Sequence, residues 1–149
     1  MTKTTKEYLK QIENMNRYIE QLLSEVEELR ALSQSLSGTQ FGERITGGNK
    51  NNEAAFVNYI LKINELETKI NQEIDKFIDL KTTIIKAIDE LDDLEERMVL
   101  RARYISGRSW DDIYDQLNRS RSAAHRVHAS ALANLKVPTK VETLINQNT

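Results

Sequence analysis

Apolar side chains recur at seven-residue intervals near the start of this 149-residue chain. The two series are Ile12, Ile19 and Val26, and Tyr8, Met15, Leu22, Leu29 and Leu36. A seven-residue repeat returns to nearly the same side of an α-helix after two turns, so both series line one face. The whole chain contains one proline and five glycines, so helix breakers are few. A long amphipathic helix is therefore predicted here.

A second long helix is predicted from about Glu53 to Leu91. Its main stripe consists of Phe56, Ile63, Ile70, Phe77, Ile84 and Leu91. Two stripes of similar length separated by a loop favour an antiparallel hairpin within one chain. The first stripe also has β-branched residues at one core position and mostly leucine at the other, which is typical of parallel dimeric coiled coils. A homodimer through residues 8–36 is the alternative, and a four-helix dimer would satisfy both arrangements.

The segment between the two stripes, residues 37–52, is polar and rich in glycine and asparagine. Its glycine spacing partly matches a phosphate-binding loop, but the terminal Lys-Ser/Thr pair is missing and no strand precedes it. A flexible linker is predicted instead of a nucleotide site.

The stretch Arg103–Leu135 has the outline of two short helices joined by a tight turn. Gly107 is expected to end the preceding helix, and Ser109 to cap the next one. Asn118 tolerates the left-handed backbone that the turn requires, and Ser120 is placed to cap the following helix. These signals predict a helix-turn-helix, whose second helix normally enters the DNA major groove. The plainer alternative is an antiparallel helix pair with a basic exposed face.

Each helix of this pair has an apolar side. In the first helix that side consists of Trp110, Ile113, Tyr114 and Leu117. In the second helix it consists of Ala124, Val127, Ala131, Leu132 and Leu135. The opposite side of the second helix, towards its start, carries Arg121, Ser122, His125 and Arg126. Since Trp110 begins the first apolar side, we expect its indole to be largely buried.

Charge is distributed unevenly along the chain. Residues 1–96 contain 12 Lys and Arg against 19 Asp and Glu, a net charge of −7. Residues 97–136 contain 8 against 3, a net charge of +5, and residues 137–149 balance. One basic region in an acidic chain is the electrostatic pattern expected for contact with a phosphate backbone through a single face.

The predicted architecture is all-α and has three parts. Residues 1–91 form a long, coiled-coil-like helical hairpin with a flexible 37–52 loop and a possible dimerisation surface. Residues 92–138 form a small helix-turn-helix domain, and residues 139–149 form a C-terminal tail.

Residues 92–138 resemble the helix-turn-helix of bacterial sigma factor region 4, and more closely the ArpU/RinA-type regulators of phage late genes. The motifs are L-x-x-R-Y-I-x-G at Leu100–Gly107, S-W-x-x-I at Ser109–Ile113 and H-x-x-A-L at His128–Leu132. The chain departs from the sigma-like pattern at Tyr114, where a small residue is usual. The resemblance implies a transcription regulator, an activator of phage or prophage late genes, with double-stranded DNA and host RNA polymerase as partners.

The same resemblance suggests which residues contact DNA. Base contacts are expected from Arg121, Ser122, His125 and Arg126. Phosphate contacts are expected from Arg101, Arg103, Arg108, Ser109, Arg119 and Ser120. Two other classes of function stay open: a small terminase-like DNA-packaging subunit, which would form large rings, and a helical adaptor that binds protein.

Catalysis finds little support in the sequence. The absence of cysteine excludes disulfides, cysteine nucleophiles and the usual zinc fingers. The two histidines, His125 and His128, lie one turn apart without a third ligand, so contact with DNA or solvent is expected instead of a metal. We predict no enzyme activity and no cofactor. No apolar run approaches the roughly 20 residues that cross a bilayer, and no signal peptide is recognised, so a cytoplasmic protein is expected.

Overall fold

The computed structural model describes residues 4–38 and 49–138, and over these residues the chain is all-helical. The helices are α1 (Thr5–Gly38), α2 (Asn49–Asp89), α3 (Leu94–Leu100), α4 (Trp110–Leu117) and α5 (Arg121–Asn134). A π-helical segment, Arg101–Ile105, continues α3 without a break. Within the described ranges no strand occurs, which confirms the predicted fold class at that level.

The two long helices extend further than the sequence predicted. α1 continues to Gly38 and α2 begins at Asn49, so helix replaces both ends of the predicted 37–52 loop. Polar residues join an existing helix readily, because each added residue brings one more backbone hydrogen bond without the cost of nucleation. The rest of the predicted linker, residues 39–48, and the predicted tail, residues 139–149, lie outside the described residues.

The chain divides into two compact units. One unit combines Met1–Asn14 with Phe77–Thr149. Its core includes Leu9 of α1, Ile88 of α2 and Val99 of α3, all fully buried. Three short helices enclose little apolar volume by themselves, so the ends of the long helices complete this core.

The second unit is Met15–Lys76. Leu22 and Val26 of α1 pack with Ile63 and Ile70 of α2 in its core. Arg30 of α1 forms an ion pair with Glu67 of α2. Five members of the heptad series, Tyr8, Ile12, Ile19, Leu22 and Val26, are buried by contacts within this one chain. The seam predicted for a coiled-coil dimer is therefore not exposed.

Local signals define the start of α3 and the end of the π-helical segment. The carboxylate of Asp93 accepts hydrogen bonds from the backbone N–H groups of Glu95 and Glu96, which caps α3. At the other end Gly107 adopts a left-handed φ of 63°, and the Arg108 N–H donates to the Ala102 carbonyl at 2.9 Å. Gly107 therefore ends the helix as the sequence predicted.

Candidate nucleic-acid interface

Helices α4 and α5 are joined by a short turn that has the predicted chemistry. The Ser109 hydroxyl accepts a hydrogen bond from the Asp112 N–H at 3.2 Å and caps α4. Asn118 ends α4 in the left-handed region, with φ 51° and ψ 47°. The Ser120 hydroxyl then accepts from the Ala123 N–H at 3.3 Å and caps α5. All three predictions are confirmed, because short-range backbone preferences decide them.

The buried side of α5 contains one residue that the sequence analysis placed elsewhere. Ala124, Ala131 and Leu135 are buried as predicted, while Val127 and Leu132 are partly buried. His128 is 9 % exposed, so the expectation that it faces DNA or solvent is wrong. The signal was available in the spacing, since His128 follows Ala124 by four residues and precedes Ala131 by three.

An aromatic cluster connects the core to the exposed side of α5. The ring of Tyr104 stacks on His128, with centroids 5.8 Å apart, and the His128 ring meets Trp110 edge-on at 4.9 Å. Trp110 in turn lies 4.2 Å from His125, and Tyr114 lies 5.7 Å from His125. Trp110 is half-buried and packs against the edge of the core, so the expectation that it is largely buried is wrong.

Two arginines lie over the rings of this cluster. The Arg103 guanidinium is 5.2 Å from the centre of the Trp110 ring, and the Arg121 guanidinium is 5.7 Å from that of Tyr114. Both distances are within the range of cation–π attraction. Positive charge is thus held against α4 and the first turn of α5.

The four residues predicted to contact bases lie together on the first half of α5. Arg121, Ser122, His125 and Arg126 are all exposed. His125 is held from two sides, since its Nε2 lies 2.7 Å from the Tyr114 hydroxyl and its ring lies against Trp110. The sequence placed Tyr114 on the apolar side of α4 and as a departure from the expected small residue, but it did not predict the contact with His125.

The residues predicted to contact phosphate have more varied surroundings. Arg101 forms an ion pair with Asp89, in which Nη2 donates to Oδ1 at 2.7 Å and to Oδ2 at 2.9 Å. Arg119 donates to Glu95, with Nε 2.8 Å from Oε2, and this hydrogen bond raises the pKa of Arg119 further. Arg103 donates to the Arg108 carbonyl at 3.2 Å, whereas the side chain of Arg108 is exposed. Ser109 and Ser120 act as the helix caps described above.

His128 has a strongly perturbed proton affinity. Burial, together with the smaller effect of the nearby basic groups Lys6, His125 and Arg103, lowers its pKa to about 4. Its Nε2 lies 2.8 Å from the Tyr104 hydroxyl. Near neutral pH the imidazole is therefore uncharged and serves as a hydrogen-bonded part of the core.

A cavity of about 560 Å³ lies elsewhere in the unit that contains α3, α4 and α5, and its lining is acidic where the exposed side of α5 is basic. Its lining includes Glu90, Asp92, Asp93 and Glu96, together with the basic Lys136. Carboxylates repel phosphate, so this surface is unsuited to contact with a nucleic acid backbone. Among the described residues no three His, Cys, Asp or Glu side chains are grouped so as to hold a metal ion.

Comparison with known protein families assigns the chain to one family. The structure defines an all-helical protein, and no helix of its described part is long and apolar enough to span a membrane. Residues 34–136 match the family model described as "Protein of unknown function (DUF1492)", and the chain belongs to this family. The match covers α2 through α5 and leaves out most of α1. The chain has no significant match among the curated proteins or the solved structures.

Proposed function

We propose that this chain is a DNA-binding protein, not an enzyme, and that α5 is the recognition helix of a sigma region 4-like helix-turn-helix. The observation that carries the proposal is the exposed group on the first half of α5. In that group Arg121, Ser122, His125 and Arg126 follow directly after the capped turn. Recognition helices contact base edges with residues near their N-termini, and arginine to guanine is the commonest specific contact.

Electrostatics support binding through one side of the molecule. Arg108 and Arg126 are exposed, and the pair Arg103 and Arg121 adds charge over the aromatic cluster. The acidic cavity at the end of α2 would repel the DNA backbone. We infer that Arg108 contacts phosphate, and that Arg101 and Arg119 do so only when DNA competes with Asp89 and Glu95.

The biological role follows from the resemblance stated for residues 92–138. We propose an activator of phage or prophage late genes, of the ArpU/RinA type, that recruits host RNA polymerase to a promoter. Transcription in vitro with host polymerase and a promoter template tests this role. A higher transcript yield is expected; an unchanged yield despite promoter binding would refute activation, and a lower yield would indicate repression.

Binding-site selection with the full chain tests the DNA-binding proposal directly. A specific sequence should be enriched, and Arg121→Ala or Arg126→Ala should weaken that sequence about 5- to 100-fold while affecting random DNA less. Lys62→Ala is the matched control, because it removes one exposed positive charge far from α5 in sequence. Equal losses on specific and random DNA would show that α5 is not the recognition helix.

The oligomeric state separates regulation from DNA packaging. Two copies on a repeated site would supply the base contacts that one module lacks. Since the heptad seam is buried, a homodimer through residues 8–36 would have to use surface outside the seam, where Leu23 and Leu32 are exposed on opposite flanks of α1. Analytical ultracentrifugation is expected to give monomers or dimers, and rings of eight or more subunits would favour the packaging subunit.

A further inference from the structure

Tyr114 occupies the position at which the sigma-like pattern has a small residue, and its side chain is directed at the proposed recognition helix. Its hydroxyl oxygen lies 2.7 Å from Nε2 of His125. Its ring is T-shaped to the His125 ring and lies beneath the guanidinium of Arg121. One side chain of α4 therefore contacts two of the four side chains proposed to contact bases.

These contacts restrict the imidazole of His125. The Tyr114 hydroxyl occupies Nε2 whichever of the two groups donates the hydrogen, and the indole of Trp110 covers the ring with centroids 4.2 Å apart. An exposed histidine would otherwise rotate about both side-chain bonds and could present either ring nitrogen. Here Nδ1 is the ring nitrogen that is left for an outside partner.

We propose that Tyr114 is a positioning residue for DNA recognition: its hydroxyl orients His125 so that Nδ1 faces the major groove at one base pair. The inference rests on the proposed function and adds a specificity-determining residue to it. A side chain fixed before binding loses less rotational freedom when it meets a base edge, so the hydroxyl should act on discrimination more than on general affinity.

Tyr114→Phe is the central test, because it removes the hydroxyl and keeps the ring under Arg121. We expect discrimination at one base pair of the selected site to fall about tenfold, with less than about twofold change on random DNA. His125→Ala should lose discrimination at the same base pair, and the double variant should be no worse than His125→Ala alone. Tyr114→Ala should also lower discrimination at the base pair that Arg121 contacts, because it removes the ring beneath the guanidinium.

Two further tyrosine variants serve as controls. Tyr59→Phe removes a hydroxyl from α2, and Tyr104→Phe removes the hydroxyl that faces the buried His128. The second is expected to lower stability but to leave base discrimination unchanged, which separates positioning from a general loss of structure.

Nuclear magnetic resonance of the imidazole nitrogens supplies a measurement that does not need DNA. Tyr114→Phe should shift the His125 signals and leave those of His128 in place. Absence of any selected DNA sequence would overturn the proposed function together with this inference. Two outcomes would overturn the inference alone. In the first, Tyr114→Phe recognises the selected sequence as well as the unmodified chain does. In the second, the loss of discrimination in the double variant is the sum of the two single losses.

Discussion

The hydroxyl of Tyr104 and Nε2 of His128 form a 2.8 Å hydrogen bond in the core, where the His128 ring also meets Trp110 edge-on. The same indole contacts His125, which forms a second tyrosine–histidine pair with Tyr114 at 2.7 Å, nearer the surface. The inner pair is buried and the outer pair is exposed. The same chemistry therefore contributes to stability in one place and faces the proposed DNA-binding side in the other.

The inner pair predicts a pH dependence of stability. His128 has a pKa near its ordinary value of 6.5 in the unfolded chain and of about 4 in the folded one. Between these values the unfolded chain binds a proton that the folded chain does not, so stability is fully present above pH 6.5 and falls towards pH 4. The largest loss is about 3 kcal/mol, at roughly 1.4 kcal/mol for each tenfold change in proton affinity.

Urea denaturation followed by circular dichroism at a series of pH values measures this loss. His128→Gln is the matched variant, because its amide can still bond to Tyr104 and does not titrate. The carboxylates contribute equally to both proteins, so the difference between their pH profiles isolates His128. Parallel profiles from pH 6.5 to 4 would contradict the assignment of a neutral, buried imidazole.

The adjacent glutamates of α3 are predicted to differ in their contributions to stability. Glu96 is 6 % exposed and accepts hydrogen bonds from Ser130 at 2.6 Å and from Asn134 at 3.0 Å, which ties α3 to α5. Glu96→Ala should cost about 2 kcal/mol in the free energy of unfolding, since it removes the acceptor of both bonds. Glu95→Ala removes only a solvent-exposed ion pair with Arg119 and should cost less than about 1 kcal/mol. Equal costs in denaturant unfolding would argue against the buried network.

The ion pair of Glu95 with Arg119 should limit contact with DNA. Glu95→Gln frees the guanidinium, so binding to random DNA should strengthen and the slope of log affinity against log salt should steepen by about 0.9. Asp115→Asn is the control, because it removes the same charge from an exposed residue of α4. If both variants change the salt slope alike, Glu95 and the DNA phosphate do not compete for Arg119.

Gly107 offers a test of backbone conformation that is separate from packing. Its φ is 63°, and a Cβ added there meets nothing within 4 Å. Gly107→Ala should therefore cost about 1–2 kcal/mol through the left-handed backbone alone. Gly107→Asn should cost less, because asparagine tolerates this region, while Gly107→Val should cost most. Thermal unfolding of the three variants ranks them, and equal costs for Asn and Val would contradict a conformational origin.

Features that depend on neighbours in the chain were predictable from the sequence. Ser109, Asn118 and Ser120 act within three residues of their own positions, and the predicted caps and turn are present. The long helices were predicted for a similar reason, since apolar periodicity reflects the geometry of one helix. Their exact ends were not, because polar residues continue a helix at little cost.

Contacts between residues far apart in sequence were decided by the tertiary structure. The apolar series of α1 suited a second chain as well as its own, and only the packed structure assigns Leu22 and Val26 to an intrachain core. Arg101 and Arg119 looked alike as free cations until folding brought Asp89 and Glu95 beside them, 12 and 24 residues away.

The sequence by itself predicted the α-helices, their caps and the left-handed turn, because local backbone energies determine them. The burial of His128 and the contact of Tyr114 with His125 came from the packing of α4 and α5 against the core. Periodicity tells which side of a helix a residue occupies, but the partner on that side is known only when the other helices are in place.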